Sequence, residues 1–348
     1  MILVFMDLPT GYLIVEEYSK QRTIDAWKKV LMEKLEWMNS RVLYMVSDRA
    51  KALISLALKN VGCKSIPDLF HIRYDITKRF SLAVENKARK TQKKLDTLRI
   101  ALSLLKESQK SSSVDILSET KKLQQVELEL DQIKSTQLIF KESLQQFSLL
   151  IHPYQLEDSS FQPAKKLEKK LEQNLKVLQK TLIQSHIEDH KNCFEKIEKQ
   201  IHDISSVVTV WEDYLEKKLT SLSLSQIEKI WLKEYVIPKF YWKLQVKKTR
   251  SYDLRIRYEQ ALKTAIEQYN QHIITKKMDS CSIKKWKKWS KEIISKFKRA
   301  SSAVEGRNGI ISQMNHNGRG IQKGMLKVMG VVHNFDTKDE EEKTPAQK

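Results

Sequence analysis

The chain has 348 residues, and its 63 Lys and Arg against 43 Asp and Glu give a formal net charge of +20. That length allows two domains, and that charge favours an anionic partner such as nucleic acid, although a generically basic protein remains an alternative. Three widely spaced cysteines (Cys63, Cys193 and Cys281) argue against a disulfide framework or a structural zinc site, and the early sequence holds no signal peptide or membrane span. These features predict a cytoplasmic protein without a membrane partner.

Residues 1–88 alternate between strand and helix patterns. Apolar runs at 2–6 and 12–17, joined by a Leu-Pro-Thr-Gly turn, predict a β-hairpin. An amphipathic helix is predicted over 23–37, and a short strand over 63–66. This part of the chain therefore looks like half of an α/β domain.

The apolar run that ends at Asp48 is the most informative segment. A continuous apolar run predicts a strand buried on both faces, and the residue after its carboxyl end lies where α/β folds place their chemistry. Asp48 could hold a metal ion there, or it could simply cap the helix that follows.

Residues 89–282 are rich in Lys, Glu, Gln, Leu and Ile and poor in glycine. Apolar residues with three-four spacing predict long amphipathic helices, each burying one stripe against a neighbour. We interpret the region as a coiled-coil-like antiparallel bundle, with a dimer zipper as the alternative. The clearest seam contains Leu167, Leu171, Leu175, Leu178 and Leu182.

Residues 283–336 begin with a basic segment in which lysines alternate with tryptophans. Such a segment suits a phosphate backbone, although a solvated basic helix with inward tryptophans has the same pattern. A polar, glycine-rich stretch at 301–320 follows, and residues 337–348 are expected to form a disordered acidic and polar tail. The predicted DNA-binding residues are Lys284, Lys285, Lys287, Lys288 and Arg299.

Three segments carry a family resemblance. They are Ser-Asp-Arg-Ala-Lys-Ala-Leu at 47–53, Asp-Leu-Phe-His at 68–71 and Ala-Val-Glu-Gly-Arg-Asn-Gly at 303–309. Together they resemble bacterial insertion-sequence transposases whose RNase H-like DDE core is split by a large helical insertion. The resemblance implies a mixed, helix-dominated α/β fold with an RNase H-like core interrupted by a long α-helical bundle.

The same resemblance implies the chemistry. Asp48 would be the second acid and Glu305 the third, sharing two Mg²⁺ or Mn²⁺ ions for strand cleavage and transfer. Its partners would be transposon-end and target DNA, in a homo-oligomer in the bacterial cytoplasm near the nucleoid. His71 and Arg307 would support the site, His71 by orienting phosphate or metal-bound water and Arg307 by contacting phosphate. A hydrogen-bonded structural histidine is the alternative for His71.

The first acid is the open question. Asp7 ends an apolar strand, but the two predicted strands resemble the second and third of the family, which places Asp7 in their connecting turn. The first strand and its aspartate are then expected upstream of Met1, and we predict a chain that binds DNA but does not cut it. A non-enzymatic basic scaffold that binds nucleic acid is the alternative function, and a metal-dependent nuclease is a third.

Overall fold

The computed structural model describes residues 1–107, 113–318, 320–339 and 342–348, and helices dominate it. The strands are β1 (Ile2–Asp7), β2 (Tyr12–Tyr18), β3 (Tyr44–Ser47) and β4 (Lys64–Pro67). The helices are α1 (Ile24–Trp37), α2 (Lys51–Ser55), α3 (Leu69–Glu107), α4 (Ser113–Leu150), α5 (Ala164–Gln184), α6 (Cys193–Glu198), α7 (Ile201–Thr220), α8 (Gln226–Trp231), α9 (Ile237–Lys248), α10 (Tyr252–Gln271), α11 (Ile273–Lys277), α12 (Ser280–Ser295), α13 (Ser302–Asn317) and α14 (Lys323–Phe335). The predicted helix-dominated mixed class is confirmed.

Three short helical turns complete the description. A π-helical turn follows α2 (Leu56–Val61), and another joins α8 to α9 (Leu232–Val236). A 3-10 turn lies at the carboxyl end (Pro345–Gln347). None of the helices in the described ranges combines the length and apolar character needed to cross a membrane.

The four strands form two separate two-stranded sheets. β1 and β2 pair antiparallel from Ile2 opposite Tyr18 to Asp7 opposite Tyr12, which confirms the predicted hairpin. β3 and β4 pair parallel, as expected for strands connected through a helix.

Both faces of the β1–β2 hairpin are covered. Leu3 and Phe5 pack with α1, whereas Ile2 and Val4 pack with residues of α13 and α14. Because successive side chains point to opposite faces, this alternation explains why β1 reads as a continuous apolar run. Met45 of β3 joins the same core as Leu3, so α1 supports both sheets.

The chain divides into two compact units. The first contains Met1–His71, Ile151–Leu167 and His202–Lys348, and the second contains Ile72–Leu150 and Glu168–Ile201. This division differs from the predicted boundaries, because residues 151–167 and 202–282 belong with the strands and residues 72–88 belong with the second unit.

Aromatic packing explains that difference. Trp211 of α7 and Tyr241 of α9 each make an edge contact with Phe297, at 5.9 and 6.0 Å between ring centroids. Tyr154 contacts both Trp211 and Tyr241. Aromatic pairs bury much apolar area, so they fix α7 and α9 within the first unit.

The second unit contains long helices with buried apolar seams. All five leucines of the predicted α5 seam are at most 4% exposed, which confirms that stripe as core, and all but Leu167 belong to the second unit. Leu95 of α3 packs with Val126 and Leu130 of α4. Val126 and Leu130 are four residues apart, which is the spacing expected of a helix that buries one stripe against a neighbouring helix.

The carboxyl-terminal segment differs from the predicted disordered tail. In its described residues, Thr344 and Pro345 are buried, and the Lys348 ammonium lies 2.9 Å from the Asp339 carboxylate. Composition predicted disorder because the segment is polar, whereas its described residues include a buried threonine, a buried proline and one ion pair.

Candidate functional site

A cavity of about 630 Å³ in the first unit contains the predicted acids. β1, β3, α1 and the segment from Lys296 to α13 form its walls. The titratable residues that line it are Asp7, Arg22, Arg41, Tyr12, Tyr44, Asp48, His71, Lys296, Lys298, Glu305 and Lys348. Asp48 and Glu305, far apart in sequence, therefore face one space.

Asp48 lies directly after β3 and is exposed. One of its carboxylate oxygens accepts a hydrogen bond from the backbone N–H of Ala50 at 3.1 Å. This contact belongs to the turn before α2, whose N-cap is Ala50 without a side-chain cap hydrogen bond, so the alternative role of Asp48 as a helix cap is not supported.

Arg49 fixes the turn that presents Asp48. Its φ of 65° lies in the left-handed region, which non-glycine residues rarely adopt and which is often found at functional sites. Its guanidinium donates to the Ser65 carbonyl at 3.0 Å and to the Asp203 carboxylate at 2.6 Å. No local pattern predicted these partners, since Asp203 is on α7, far away in the chain.

Asp68 positions the helix that carries Glu305. The Asp68 side chain is 1% exposed and accepts hydrogen bonds from the Phe70 backbone N–H and from both the N–H and hydroxyl of Ser301. Its own N–H donates to the Ser47 carbonyl at 2.9 Å. One buried carboxylate therefore joins the ends of β3 and β4 to the start of α13.

Glu305 lies in the first turn of α13, facing the cavity. Its carboxylate is 3.8 Å from His71 Nε2, and the two side chains are 39% and 30% exposed. Asn308, one helical turn further, lines the same cavity and was missed by sequence reasoning. Its spacing of three residues from Glu305 was the available signal.

The residues that line the cavity supply only part of a magnesium site. Carboxylates are the hard oxygen ligands that Mg²⁺ prefers, and Asp48 and Glu305 supply two of them. Yet within the described ranges no group of three or more His, Cys, Asp or Glu is close enough to hold an ion. We therefore derive no catalytic step through a metal.

Asp7 lines the cavity at the end away from Asp48. Its carboxylate accepts hydrogen bonds from the N–H and hydroxyl of Thr10, at 3.1 and 2.6 Å, as predicted for a turn aspartate. It also interacts electrostatically with Lys298, whose N–H donates to the Tyr44 hydroxyl at the start of β3. Asp48 follows the other end of β3, roughly 13 Å from Tyr44 at 3.3 Å of rise per residue.

Arg307 does not face the cavity, and its predicted phosphate contact is wrong for this structure. Its guanidinium is 7% exposed and forms two hydrogen bonds with the Glu16 carboxylate, at 2.6 and 2.7 Å. Two residues along a helix is a rotation of about 200°, so Arg307 and Glu305 point in nearly opposite directions. Arg307 instead fastens α13 to β2.

The basic helix α12 presents a lysine face. Lys284, Lys285, Lys287 and Lys288 are exposed, and none of them forms an ion pair within the part of the chain that is described. Trp286 is buried and makes an edge contact with Trp289, so the tryptophans pack inward and do not offer rings for base stacking.

Arg299 is not on that face. α12 ends at Ser295, and the Arg299 guanidinium donates to the Ile151 carbonyl at 2.7 Å and lies 3.0 Å from His152 Nε2. The predicted DNA contact of Arg299 is therefore not supported, because these partners in the aromatic core hold its charge.

Two neighbouring lysines create a desolvated positive charge at the Asp7 end of the cavity. Burial and the nearby Lys248 lower the pKa of Lys298 to about 8, and Asp7 opposes that shift. Burial also lowers the pKa of Lys248, which hydrogen-bonds to Lys298. Both effects disfavour the charged form of a lysine.

Comparison with protein families gives a match over part of the chain. The model of a family of unknown function, DUF6399, matches residues 232–348, about a third of the chain, which include α12 and Glu305. No curated protein and no solved structure matches the chain.

Proposed function

We propose that this chain is part of a DDE-type transposase with an RNase H-like core, and that it binds DNA through its basic surface. The observation that carries the proposal is that Asp48, at the end of β3, and Glu305, on α13, line one cavity beside His71. Acids at a strand end and on a helix are suited to hold metal ions against a phosphodiester.

Electrostatics support a DNA partner. The net charge is +20, and α12 presents four exposed lysines without carboxylate partners in the described ranges. Because each neutralised phosphate releases counterions, binding is expected to weaken steeply as salt increases.

The non-enzymatic scaffold is the second candidate. It is favoured because, in the described ranges, no group of three or more His, Cys, Asp or Glu is close enough to hold an ion. A scaffold would use the lysine face and leave Asp48 and Glu305 without a role in DNA binding.

Binding to labelled transposon-end DNA, with and without Mg²⁺, separates the two candidates. For the transposase we expect Mg²⁺ to tighten binding, and D48N and E305Q each to remove that increase while leaving metal-free binding intact. D25N, which alters an exposed acid of α1, is the control. Equal Mg²⁺ dependence in all four proteins would favour the scaffold.

Cleavage is tested on the same DNA. Because no three-ligand group occurs in the described ranges, we expect neither nicking nor strand transfer by this chain alone. Robust Mg²⁺-dependent cleavage that D7N abolishes would contradict this expectation and make Asp7 the first acid. Cleavage without strand transfer would indicate the nuclease.

A further inference from the structure

Helix α14 is apolar on two opposite sides. Its inner side packs on the β1–β2 hairpin through Leu326, and the Asn334 amide exchanges two hydrogen bonds with the Leu13 backbone. The large apolar side chains of its outer side are 45 to 61% exposed, and they are Met325, Val328, Val331, Val332 and Phe335. A helix with apolar residues on both sides is expected to be covered on both.

The outer side has the spacing of a seam between helices. Gly324, Val328, Val331 and Phe335 follow one another at intervals of four, three and four residues. This is the heptad spacing with which one helix buries a stripe against another. The outer side of α14 therefore fits a second helix that carries a stripe of the same kind.

The charges at the two ends of α14 are reversed relative to the helix dipole. Lys323 is the first residue of the helix, where the dipole favours an acid, and Asp336 is the carboxyl cap, where the dipole favours a base. Both side chains are exposed, and neither forms an ion pair within the described part of the chain. Local helix stability does not explain these two charges, whereas a partner helix with the opposite arrangement of charge would.

We propose that the outer side of α14 binds the same helix of a second copy of this chain, antiparallel and related by a two-fold axis. With the axis between residues 329 and 330, Val328 lies opposite Val331 of the second copy, and Lys323 lies opposite its Asp336. Each of these contacts occurs twice, because a two-fold axis uses the same patch on both copies. The proposal does not depend on the transposase function.

The same register places Phe335 of the second copy over Gly324. A Cβ added at Gly324 would have no atom within 4 Å, so the space beside this glycine is open. The Phe335 ring makes an edge contact with Tyr12, at 6.3 Å between ring centroids, which restricts its orientation. An aromatic ring held opposite an open space is the kind of anchor on which specific interfaces depend.

Charge selects the antiparallel direction. A parallel pair of α14 helices would place Lys323 beside the same lysine of the second copy, and likewise Lys327, and such like charges disfavour association. The antiparallel pair replaces this repulsion with two contacts between Lys323 and Asp336. One pair of helices is smaller than a standard interface of about 1,600 Å², so we expect a weak dimer that depends on concentration.

Sedimentation equilibrium of the full chain, from about 1 μM to about 1 mM, tests the proposal over the range of Kd expected for a weak interface. We expect an equilibrium between monomer and dimer. K323E and D336K should each weaken the dimer about fivefold or more, because each variant turns two attractive contacts into repulsive ones. K29E makes the same charge change as K323E on an exposed position of α1 and is the control.

Restoring the charge pairs should restore the dimer. An equimolar mixture of K323E with D336K, and the double variant K323E/D336K alone, should both dimerise as the unmodified chain does. Each substitution gives α14 a terminal charge that the helix dipole favours, so a lost dimer would not result from an unfolded helix.

The substitution G324F tests the packing. It adds apolar surface and removes a helix glycine, but it fills the space that the Phe335 ring of the second copy needs. We therefore expect a weaker dimer without loss of folding stability. A chain that stays monomeric over the whole concentration range would overturn the proposal. Association that G324F strengthens, or that K323E and D336K leave unchanged, would also overturn it, since another surface would then be responsible.

Discussion

At the scale of single residues, the structure separates side chains that face the cavity from those that hold its walls. Glu305 faces the cavity, whereas Arg307, two positions later, is paired with Glu16. Asp68, noted in sequence only as part of a motif, is the buried link between the strand ends and Ser301. Substituting the residues that hold the walls should change the stability of the protein, and this change can be measured without DNA.

Substitution of Asp68 should destabilise the first unit. D68A leaves the buried N–H and hydroxyl of Ser301 without an acceptor, and such a loss costs about 1–3 kcal/mol. Chemical denaturation measures this cost. The double variant D68A/S301A should lose less free energy of unfolding than the sum of the losses in the two single variants. If the losses in the two single variants added up to the loss in the double variant, the Asp68–Ser301 contact would contribute nothing to stability.

The Arg307–Glu16 pair gives a second stability prediction. Removing one partner of a buried ion pair costs about 3–5 kcal/mol, so R307M should lower the unfolding midpoint strongly. The double variant R307M/E16L should recover part of the loss, because no charge is left unpaired. If R307M were as stable as the unmodified chain but bound DNA poorly, the phosphate role would be restored.

Lys298 predicts a pH dependence. Between its folded pKa of about 8 and the ordinary lysine value of about 10.4, the unfolded chain binds a proton that the folded chain does not, so stability rises with pH. K298M should therefore be more stable than the unmodified chain at pH 7, with the difference shrinking between about pH 8 and pH 10. K29M, on the exposed face of α1, is the control. If the stability difference between K298M and the unmodified chain did not change with pH, the lowered pKa of Lys298 would be contradicted.

At the scale of elements, periodic patterns were predictable and distant partners were not. The α5 seam and the β1–β2 hairpin follow from local spacing, because one helix face or one turn determines them. The placement of α7 and α9 with the strands depends on contacts of Trp211 and Tyr241 with Phe297, which no local pattern reveals. The domain boundary was missed for this reason.

The lysine face of α12 predicts a salt dependence. Replacing Lys284, Lys285, Lys287 and Lys288 with glutamine should reduce the slope of log K against log salt by up to about 3.6, at about 0.9 for each lost phosphate contact on duplex DNA. The control has the same charge change on α5, and it replaces the exposed lysines Lys165, Lys169, Lys176 and Lys180. Equal slopes for both variants would show that only net charge matters.

At the scale of the whole molecule, the sequence predicted that Asp48 and Glu305 would share a site, and both line one cavity, but it did not predict what surrounds them. Asp48 was found from the end of an apolar strand, and Glu305 from a family resemblance. The cavity beside β1 and β3 depends on the positions of two sheets, and those positions are set by hydrogen bonds that Asp68 and Asn334 accept and that Arg49 donates. Partners so far apart in the chain leave no local signal.

The most direct measurement of the central claim is iron-directed cleavage of the polypeptide with DNA bound. Fe²⁺ takes oxygen ligands as Mg²⁺ does, DNA phosphates would supply the remaining ligands, and peroxide with ascorbate would then cut the backbone nearest the ion. We predict fragments ending near residues 48 and 305, suppressed by excess Mg²⁺ and lost in both D48N and E305Q but retained in D25N. Cleavage elsewhere, or fragments unchanged by D48N and E305Q, would contradict a shared metal site.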